Sequence, residues 1–455
     1  MQPSISFYNV REPSLCVPLE TVLKINSAEG GNYIPRRIPV LPNSLIYKDP
    51  PPSFRDVAFE VFRSFFQDVI PESDLYTLIA CAFPFKVPVF PIDPRTYIIE
   101  LTHGDGGSYT DFGARFTAQL IDYFYQRRGQ PVHILFAGTE LETLSLAKAF
   151  SEFEDIHATF LYPKDDCQDM IKQQFLFFPE NIQIFGVNGT LDDCKTMVQE
   201  ITADTDIMRS MELFVPHTAH VGFLLSQVCC CIYAVLAVLA RAGYDNNIEK
   251  PQLIIGSPLK KPNGMSAAIL AQKMGVPIRG FITTADSSCL NPETAYAEEC
   301  ARFKMLCAHG NADECIPDIA LYRLNQDSLL EAMRDCNDRT GYIISPGIAE
   351  LWQAWSAVRN GLSETHTVEE PPIGRFCMNT DLLPCWLSDE NTARSCITII
   401  PETGHPAFYA EAVRMATGRY PSVPNRFEYN PQITNCPVLE CSSAQDLKTR
   451  LLSLV

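Results

Sequence analysis

His217 and His220 are the side chains whose type and spacing most directly suggest proton-transfer chemistry. Imidazole titrates near neutral pH and can both accept and return a proton there. Three residues apart, the rings share a helix face if that segment is already helical. If Pro216 to His220 is a strand-to-helix turn, they are solvated or capping groups instead. Lys260-Lys261 could hold a carboxylate or an enolate and supply the electrophilic side of a site, or could be solvated on a surface loop. Glu140 and Glu142 open a helix, where the dipole favours carboxylates whatever their use. Asp111 reads equally as a base and as a helix-start cap. No GxSxG, P-loop, GxGxxG or HExxH motif accompanies them. His and Cys residues lack ligand spacing, so no metal site is expected.

Alternating strands and helices must position these groups. Tyr97-Ile-Ile-Glu-Leu, Val132-His-Ile-Leu-Phe, Ala158-Thr-Phe-Leu-Tyr, Ile182-Gln-Ile-Phe, Gln252-Leu-Ile-Ile-Gly and Ile278-Arg-Gly-Phe-Ile read as strands. Helical spacing fills the intervals: Asp111 to Tyr125, Glu140 to Phe150, Cys167 to Gln174, Asp192 to Ile201, and Gly264 to Met274. Such alternation implies parallel sheets with ligands at the carboxyl ends of their strands. Upstream, apolar residues from Val57 to Phe66 recur at helical intervals. Ser73 is expected to cap a second helix running to Ala82. Proline-rich Pro84 to Pro94 suggests a boundary near residue 90. Asn311 to Thr340 is polar with helical tendency, and Asn360 to Pro384 reads as a surface insertion.

Composition narrows the function classes. The 455 residues carry a formal net charge of -18, with no basic stripe to neutralise phosphates, so nucleic acid and anionic membrane are excluded as partners. The partner expected is a small organic molecule, with oligomerisation left open. Seventeen cysteines form no CxxC pair, which suits reduced, mostly buried thiols in the cytoplasm. Met1-Gln-Pro-Ser and the mixed polar sequence after it do not read as a signal peptide. Val221 to Ala240 carries no charge and is long enough to span a bilayer, but Ser226, Gln227 and three cysteines dilute it. A buried helix of a large α/β domain is expected there.

The stretch Glu100-Leu-Thr-His103-Gly104-Asp105-Gly106-Gly107-Ser108-Tyr109-Thr110-Asp111-Phe112-Gly113 resembles a threonine synthase segment. In that family a strand leads through His-Gly-Pro-Thr into Phe-Lys-Asp-Phe-Gly, whose lysine forms the imine with pyridoxal phosphate. Gly30-Gly31-Asn32-Tyr33-Ile34-Pro35, Phe160-Leu-Tyr-Pro163, Val187-Asn188-Gly189-Thr190-Leu191-Asp192-Asp193-Cys194 and Thr403-Gly404-His405-Pro406-Ala407-Phe408 resemble further family segments in the same order. The resemblance implies the fold-type II, tryptophan synthase β-like α/β fold with two open parallel-sheet lobes. Residues 1–90 would form a small N-terminal domain. Residues 91–130 with 216–455 would form the large lobe, and 131–215 the small lobe.

The family's chemistry is interrupted at three points. Thr110 stands at the imine lysine, and a hydroxyl cannot condense with an aldehyde. The Ser-Gly-Asp-Thr-Gly loop becomes Thr139-Glu140-Leu141-Glu142-Thr143. The phosphate cup Pro-Ser-Gly-Asn-Phe-Gly becomes Pro258-Leu259-Lys260-Lys261-Pro262-Asn263, losing the glycines that let amides converge on oxygen. By position in the resembling family, His103, Asp105, Tyr109, Thr110, Glu140, Glu142, Asp286 and His405 would contact substrate. His217, His220, Lys260, Lys261 and Asp111 would supply catalysis. The implied protein uses no cofactor and performs a lyase, isomerase or cyclase reaction on a small molecule in the interlobe cleft, in specialised metabolism. Two alternatives stand beside it: a non-catalytic binding or regulatory protein, and a pyridoxal phosphate lyase with a displaced lysine.

Overall fold

Ile98-Ile99 and Ile254-Ile255 are buried side by side on their strands, as required of strands covered by helices on both faces. The structure is a computed structural model. It describes residues 5–23, 32–126, 132–165, 167–216, 220–242, 252–258, 262–285, 302, 305–306, 319–323, 328–359, 396–428, 438–441 and 443–453. Its strands are β1 (Ser6–Asn9), β2 (Cys16–Pro18), β3 (Tyr33–Pro35), β4 (Val89–Asp93), β5 (Thr96–Glu100), β6 (His133–Ala137) and β7 (His157–Pro163). They continue with β8 (Ile182–Val187), β9 (Leu213–Phe214), β10 (Leu253–Pro258), β11 (Ile278–Ala285), β12 (Ile319–Arg323), β13 (Ile397–Glu402) and β14 (Leu439–Cys441).

Two sheets carry the α/β architecture. One has the order β12-β11-β10-β13-β5-β4, parallel except for the antiparallel edge strand β4. The other, β14-β8-β7-β6-β9, is parallel throughout. A small antiparallel sheet, β2-β1-β3, belongs to the N-terminal segment. Side-chain alternation divides the large sheet into two environments. Ile99, Ile255 and Ile399 join the core beneath the Val221–Arg241 helix, whereas Ile98, Ile254 and Ile400 pack with Trp352 and Trp355 of the Pro346–Arg359 helix.

The N-terminal segment is fastened to the helix on which the candidate site begins. The Phe54–Phe66 helix starts with a capping box. Asp56 N–H donates to Ser53 Oγ at 3.2 Å, and Ser53 N–H donates to Asp56 Oδ2 at 2.9 Å. Its phenylalanines meet the Thr110–Gln126 helix: Phe62 stacks on Phe116 with centroids 3.8 Å apart, and Phe54 meets Phe112 edge-on at 5.3 Å. The apolar Val221–Arg241 helix is long and apolar enough to cross a membrane, yet it lies mostly buried in this core. It approaches the Thr110–Gln126 helix so closely that a Cβ on Gly113 would come within 2.1 Å of Phe223 Cδ1.

Several boundaries differ from the sequence reading. Pro71, not Ser73, precedes the Glu72–Ala82 helix, and no side chain caps it; the Ser73 hydroxyl instead reaches Asp74 Oδ1 at 3.3 Å. The segment expected as a boundary near residue 90 is β4, paired to β5 through Val89, Phe90 and Pro91. The chain's last strand, β14, joins the second sheet beside β8 rather than the large one. The stretch expected as an insertion, 360–384, lies outside the described residues.

Gly113→Ala should destabilise the fold by about 1–3 kcal/mol, since Phe223 must leave its rotamer to admit the methyl group. Urea unfolding midpoints measure this, and an unmoved midpoint would show that the two helices separate freely.

Candidate functional site

The carboxyl ends of β5 and β13 are laced together by main chain. Glu100 lies opposite Glu402 in the parallel register. Beyond them, Leu101 N–H donates to Glu402 C=O (3.1 Å), Tyr109 N–H to Thr403 C=O (3.1 Å) and His405 N–H to Gly107 C=O (2.9 Å). Arg426 donates from its guanidinium to Thr102 C=O at 2.7 Å and Gly104 C=O at 3.1 Å. Gly107 has φ 65°, in the left-handed region that favours glycine.

Asp111 holds this loop from inside. Its carboxylate is 1% exposed and accepts Gly106 N–H at 3.1 Å and Ser108 N–H at 3.2 Å. Burial pushes its acid up to about 6. Thr110, also buried, begins the helix and donates its N–H to Ser108 Oγ at 3.0 Å. Asp111, expected as a catalytic residue, is observed as a loop anchor, with both oxygens accepting loop amides.

On the face covered by Trp352 and Trp355, the two strand-end glutamates meet hydroxyl and imidazole groups. Tyr342 Oη donates to Glu100 Oε1 at 2.6 Å, and His103 Nε2 lies 2.5 Å from Glu100 Oε2. Ser345 Oγ donates to Glu402 Oε1 at 2.6 Å. Burial, more than any neighbour, pushes the Glu402 acid up to about 8. Neither glutamate was singled out from sequence. The visible signal was a carboxylate closing each of two strands that end side by side.

On the opposite face opens a cleft of about 610 Å³, counted with the solvent in its mouth. Ile99, Leu101, Ile399 and Pro401 form its apolar floor. Gln227, Cys230, Cys231 and Ala234 of the Val221–Arg241 helix form its roof, and Tyr109, Ser257 and Thr403 add hydroxyls. Of the residues nominated from sequence, Tyr109 is the one described residue lining this cleft. Gln227, Ser257 and Thr403 were missed as site residues. Their signal was weak: Gln227, Cys230, Cys231 and Ala234 share one helix face by spacing alone.

The remaining nominees have other roles or lie elsewhere. His220, expected as an acid or base, is 5% exposed and accepts Gly222 N–H at Nδ1 (3.2 Å), capping the apolar helix. Burial pulls its pKa down to about 4, so at neutral pH its ring is uncharged. His405 likewise caps a turn by accepting Ala407 N–H at 3.1 Å, and burial lowers it to about 4. Glu142 completes a capping box with Thr139, whose N–H donates to it at 2.9 Å, and Glu140 starts the same helix. Asp105, half exposed, pairs with the buried Arg115 at 2.9 Å. His217, Lys260, Lys261 and Asp286 lie outside the described residues. The thiols are not nucleophiles, because burial pushes Cys231 up to about 12. An imine-held pyridoxal phosphate does not fit the described lining: a buried hydroxyl occupies position 110, and no lysine is among the described cleft residues.

Glu402 supplies a pH test. Its acid is held above the unfolded value of about 4.3, so the folded state keeps a proton that the unfolded chain loses. Stability from this group is full below about pH 4.5 and is lost as pH rises through 8. Glu402→Gln should match the parent near pH 4.5 and exceed it at pH 8.5 by on the order of 2 kcal/mol. Urea unfolding at the two pH values checks this.

Comparison with known proteins gives the frame a lineage. The model described as threonine synthase N terminus matches residues 16–83. Threonine synthase of Buchnera aphidicola subsp. Baizongia pistaciae is 26% identical over 286 residues, 62% of this chain and 65% of that one. The Escherichia coli K12 protein is 26% identical over 227 residues, 50% of this chain and 51% of its own length. The matched stretch thus spans less than two thirds of these relatives. Among solved structures, threonine synthase from Escherichia coli superposes with a TM-score of 0.76 at 20% identity, over 99% of each chain. Pyridoxal phosphate-bound threonine synthase from Brucella melitensis gives 0.74 at 16%, over 98% of this chain and 99% of that one. At those identities the superpositions establish the fold: the chain has the fold-type II architecture of threonine synthases, and its sequence is similar to theirs.

Proposed function

We propose that this threonine synthase-like chain works without pyridoxal phosphate and converts a small organic substrate in the cleft at the ends of β5, β13 and β10. The observation that carries the proposal is Thr110, buried at the start of its helix with its N–H bonded to Ser108 Oγ at 3.0 Å. A threonine there forms no imine. The surrounding frame, laced through Thr403 and His405, nevertheless holds the position as tightly as a reacting group would need. Elimination, isomerisation or cyclisation suits such a site, because each needs positioning and proton transfer but no redox partner. Tyr109 at the cleft wall, with His217, Lys260 and Lys261 from nearby in the chain, are the groups assigned to that work. The acidic charge of -18 disfavours nucleic acid as a partner, and free thiols at the ten described cysteines suit the cytoplasm.

A specific observation favours a second assignment, that of a non-catalytic binding protein. His220, His405, Glu142 and Asp111 all serve as caps or loop anchors, which leaves the described cleft with few titrating groups. Turnover separates the two: an enzyme changes its bound ligand, a binding protein returns it intact.

Incubation with pyridoxal phosphate followed by borohydride and peptide mass spectrometry tests the main proposal. The expected result is no reduced adduct at any lysine and no imine absorbance band. An adduct on Lys260 or Lys261, lost on Lys260→Ala or Lys261→Ala, would restore cofactor-dependent lyase chemistry.

A further inference from the structure

One histidine of the strand-end loop combines a fixed ring with an open nitrogen, the two things proton transfer requires. His103 follows the last residue of β5 by three positions, and its Nε2 lies 2.5 Å from Glu100 Oε2. The other Glu100 oxygen accepts the Tyr342 hydroxyl at 2.6 Å. Burial alone would raise the Glu100 acid, but the hydrogen bonds from His103 and Tyr342 outweigh it and lower the acid. Glu100 is therefore a carboxylate at neutral pH, and a carboxylate only accepts. The proton between the two groups belongs to His103 Nε2, which leaves the lone pair of the neutral ring on Nδ1. Nδ1 makes no hydrogen bond among the described residues and is not enclosed, and the side chain is 36% exposed.

The main chain on both sides of this ring is held. Arg426 binds the carbonyls of Thr102 and Gly104, and Leu101 N–H donates to Glu402 C=O. A ring fixed through its backbone and at one nitrogen, by a carboxylate that a phenol fixes in turn, is preorganised to take a proton at the other nitrogen. The remaining described histidines each lack a part of this arrangement. His220 and His405 spend Nδ1 on cap amides. His133 is buried with Nε2 at 2.9 Å from Thr159 Oγ1. His157 is exposed, with no carboxylate partner among the described residues.

Resting on the proposal that the chain converts its substrate without pyridoxal phosphate, we infer that His103 is the general base of that reaction, accepting a substrate proton at Nδ1, with Glu100 and Tyr342 as positioning residues. The group stands at the carboxyl end of β5, two residues beyond Leu101 of the cleft floor, where sheets of this kind place their ligands. The substrate it suits is a carbon acid. Nδ1 takes the proton, the C–H electron pair becomes a new π bond, and a leaving group departs or a double bond shifts. The imidazolium that forms is stabilised by the Glu100 carboxylate and returns its proton to product or water.

A carbon acid that reports any positioned base, 5-nitrobenzisoxazole, tests the inference on the full chain. Removal of its ring C–H proton forms a nitrile, breaks the N–O bond and releases a coloured phenolate. The parent should accelerate this elimination above buffer. His103→Gln keeps an N–H for Glu100 but takes no proton, and should lower kcat on the order of 100-fold with KM little changed. Glu100→Gln should lower kcat roughly tenfold, and His157→Ala should leave it unmoved. Added imidazole should restore turnover to His103→Ala, a rescue that a merely structural histidine would not show. A parent rate equal to buffer overturns the inference, as does an unchanged kcat in His103→Gln or a His103→Ala rate that imidazole leaves flat. If His103→Ala misfolds, the parent and His103→Gln still decide. A borohydride adduct with pyridoxal phosphate would instead refute the cofactor-free proposal while leaving these rates as they are, so the two failures give different signals.

Discussion

The lacing of β5 to β13 is the constraint on which the site depends. Some three hundred residues separate these strands in the chain, yet their ends exchange main-chain hydrogen bonds from Leu101 through Tyr109 on one side and Glu402 through His405 on the other. Main-chain bonds of this kind are indifferent to side-chain identity, so they survive changes that abolish chemistry. Asp111 reinforces them from below and Arg426 from the side. The result is a rigid collar around position 110 whose shape does not require the residue there to be a lysine. Frame and chemistry are therefore separable: the main-chain lacing holds position 110 whatever side chain stands there.

That separation also explains which parts of the molecule were legible in the sequence. Glu140–Phe150 was read to the residue, and the strand and helix alternation from Thr96 to Ala285 was found in order except for the Thr205–Ser210 helix and β9, which were missed. Period and apolar content dictate those elements locally. The Val221–Arg241 helix was recognised as buried because a single apolar segment diluted by polar and thiol groups suits a core better than a bilayer. Local cues said less where they meet tertiary context. Pro84 to Pro94 was read as extended with a boundary near residue 90; prolines are compatible with an edge strand, and β4 is one. The placement of β14 beside β8 rests on a long-range pairing that no local pattern encodes.

Candidate site residues were harder to read for a physical reason. Histidine and carboxylate side chains have the same composition whether they transfer protons or cap helices. His220, His405 and Glu142 each sit immediately before or within the first turn of a helix, where free amides call for an acceptor. The Thr139-x-x-Glu142 spacing is a capping-box signature in its own right. Gln227, by contrast, looked like a blemish in an apolar helix. Its meaning lies in which face it occupies, and that depends on the cleft beneath.

The two faces of the large sheet divide the labour between charge and shape. Beneath the Pro346–Arg359 helix, Glu100, Glu402, Tyr342 and His103 form a polar cluster: burial favours the protonated form of Glu402, whereas hydrogen bonds from His103 and Tyr342 outweigh burial and lower Glu100. Across the sheet, one residue away along each strand, the described lining of the cleft is largely apolar, and its polar groups are neutral. Strand alternation makes this contrast unavoidable: Ile99 and Leu101 must face away from Glu100, as Pro401 and Thr403 must face away from Glu402. Ionisable groups at the strand ends are thus drawn off to the side where Ser345 and Tyr342 receive them.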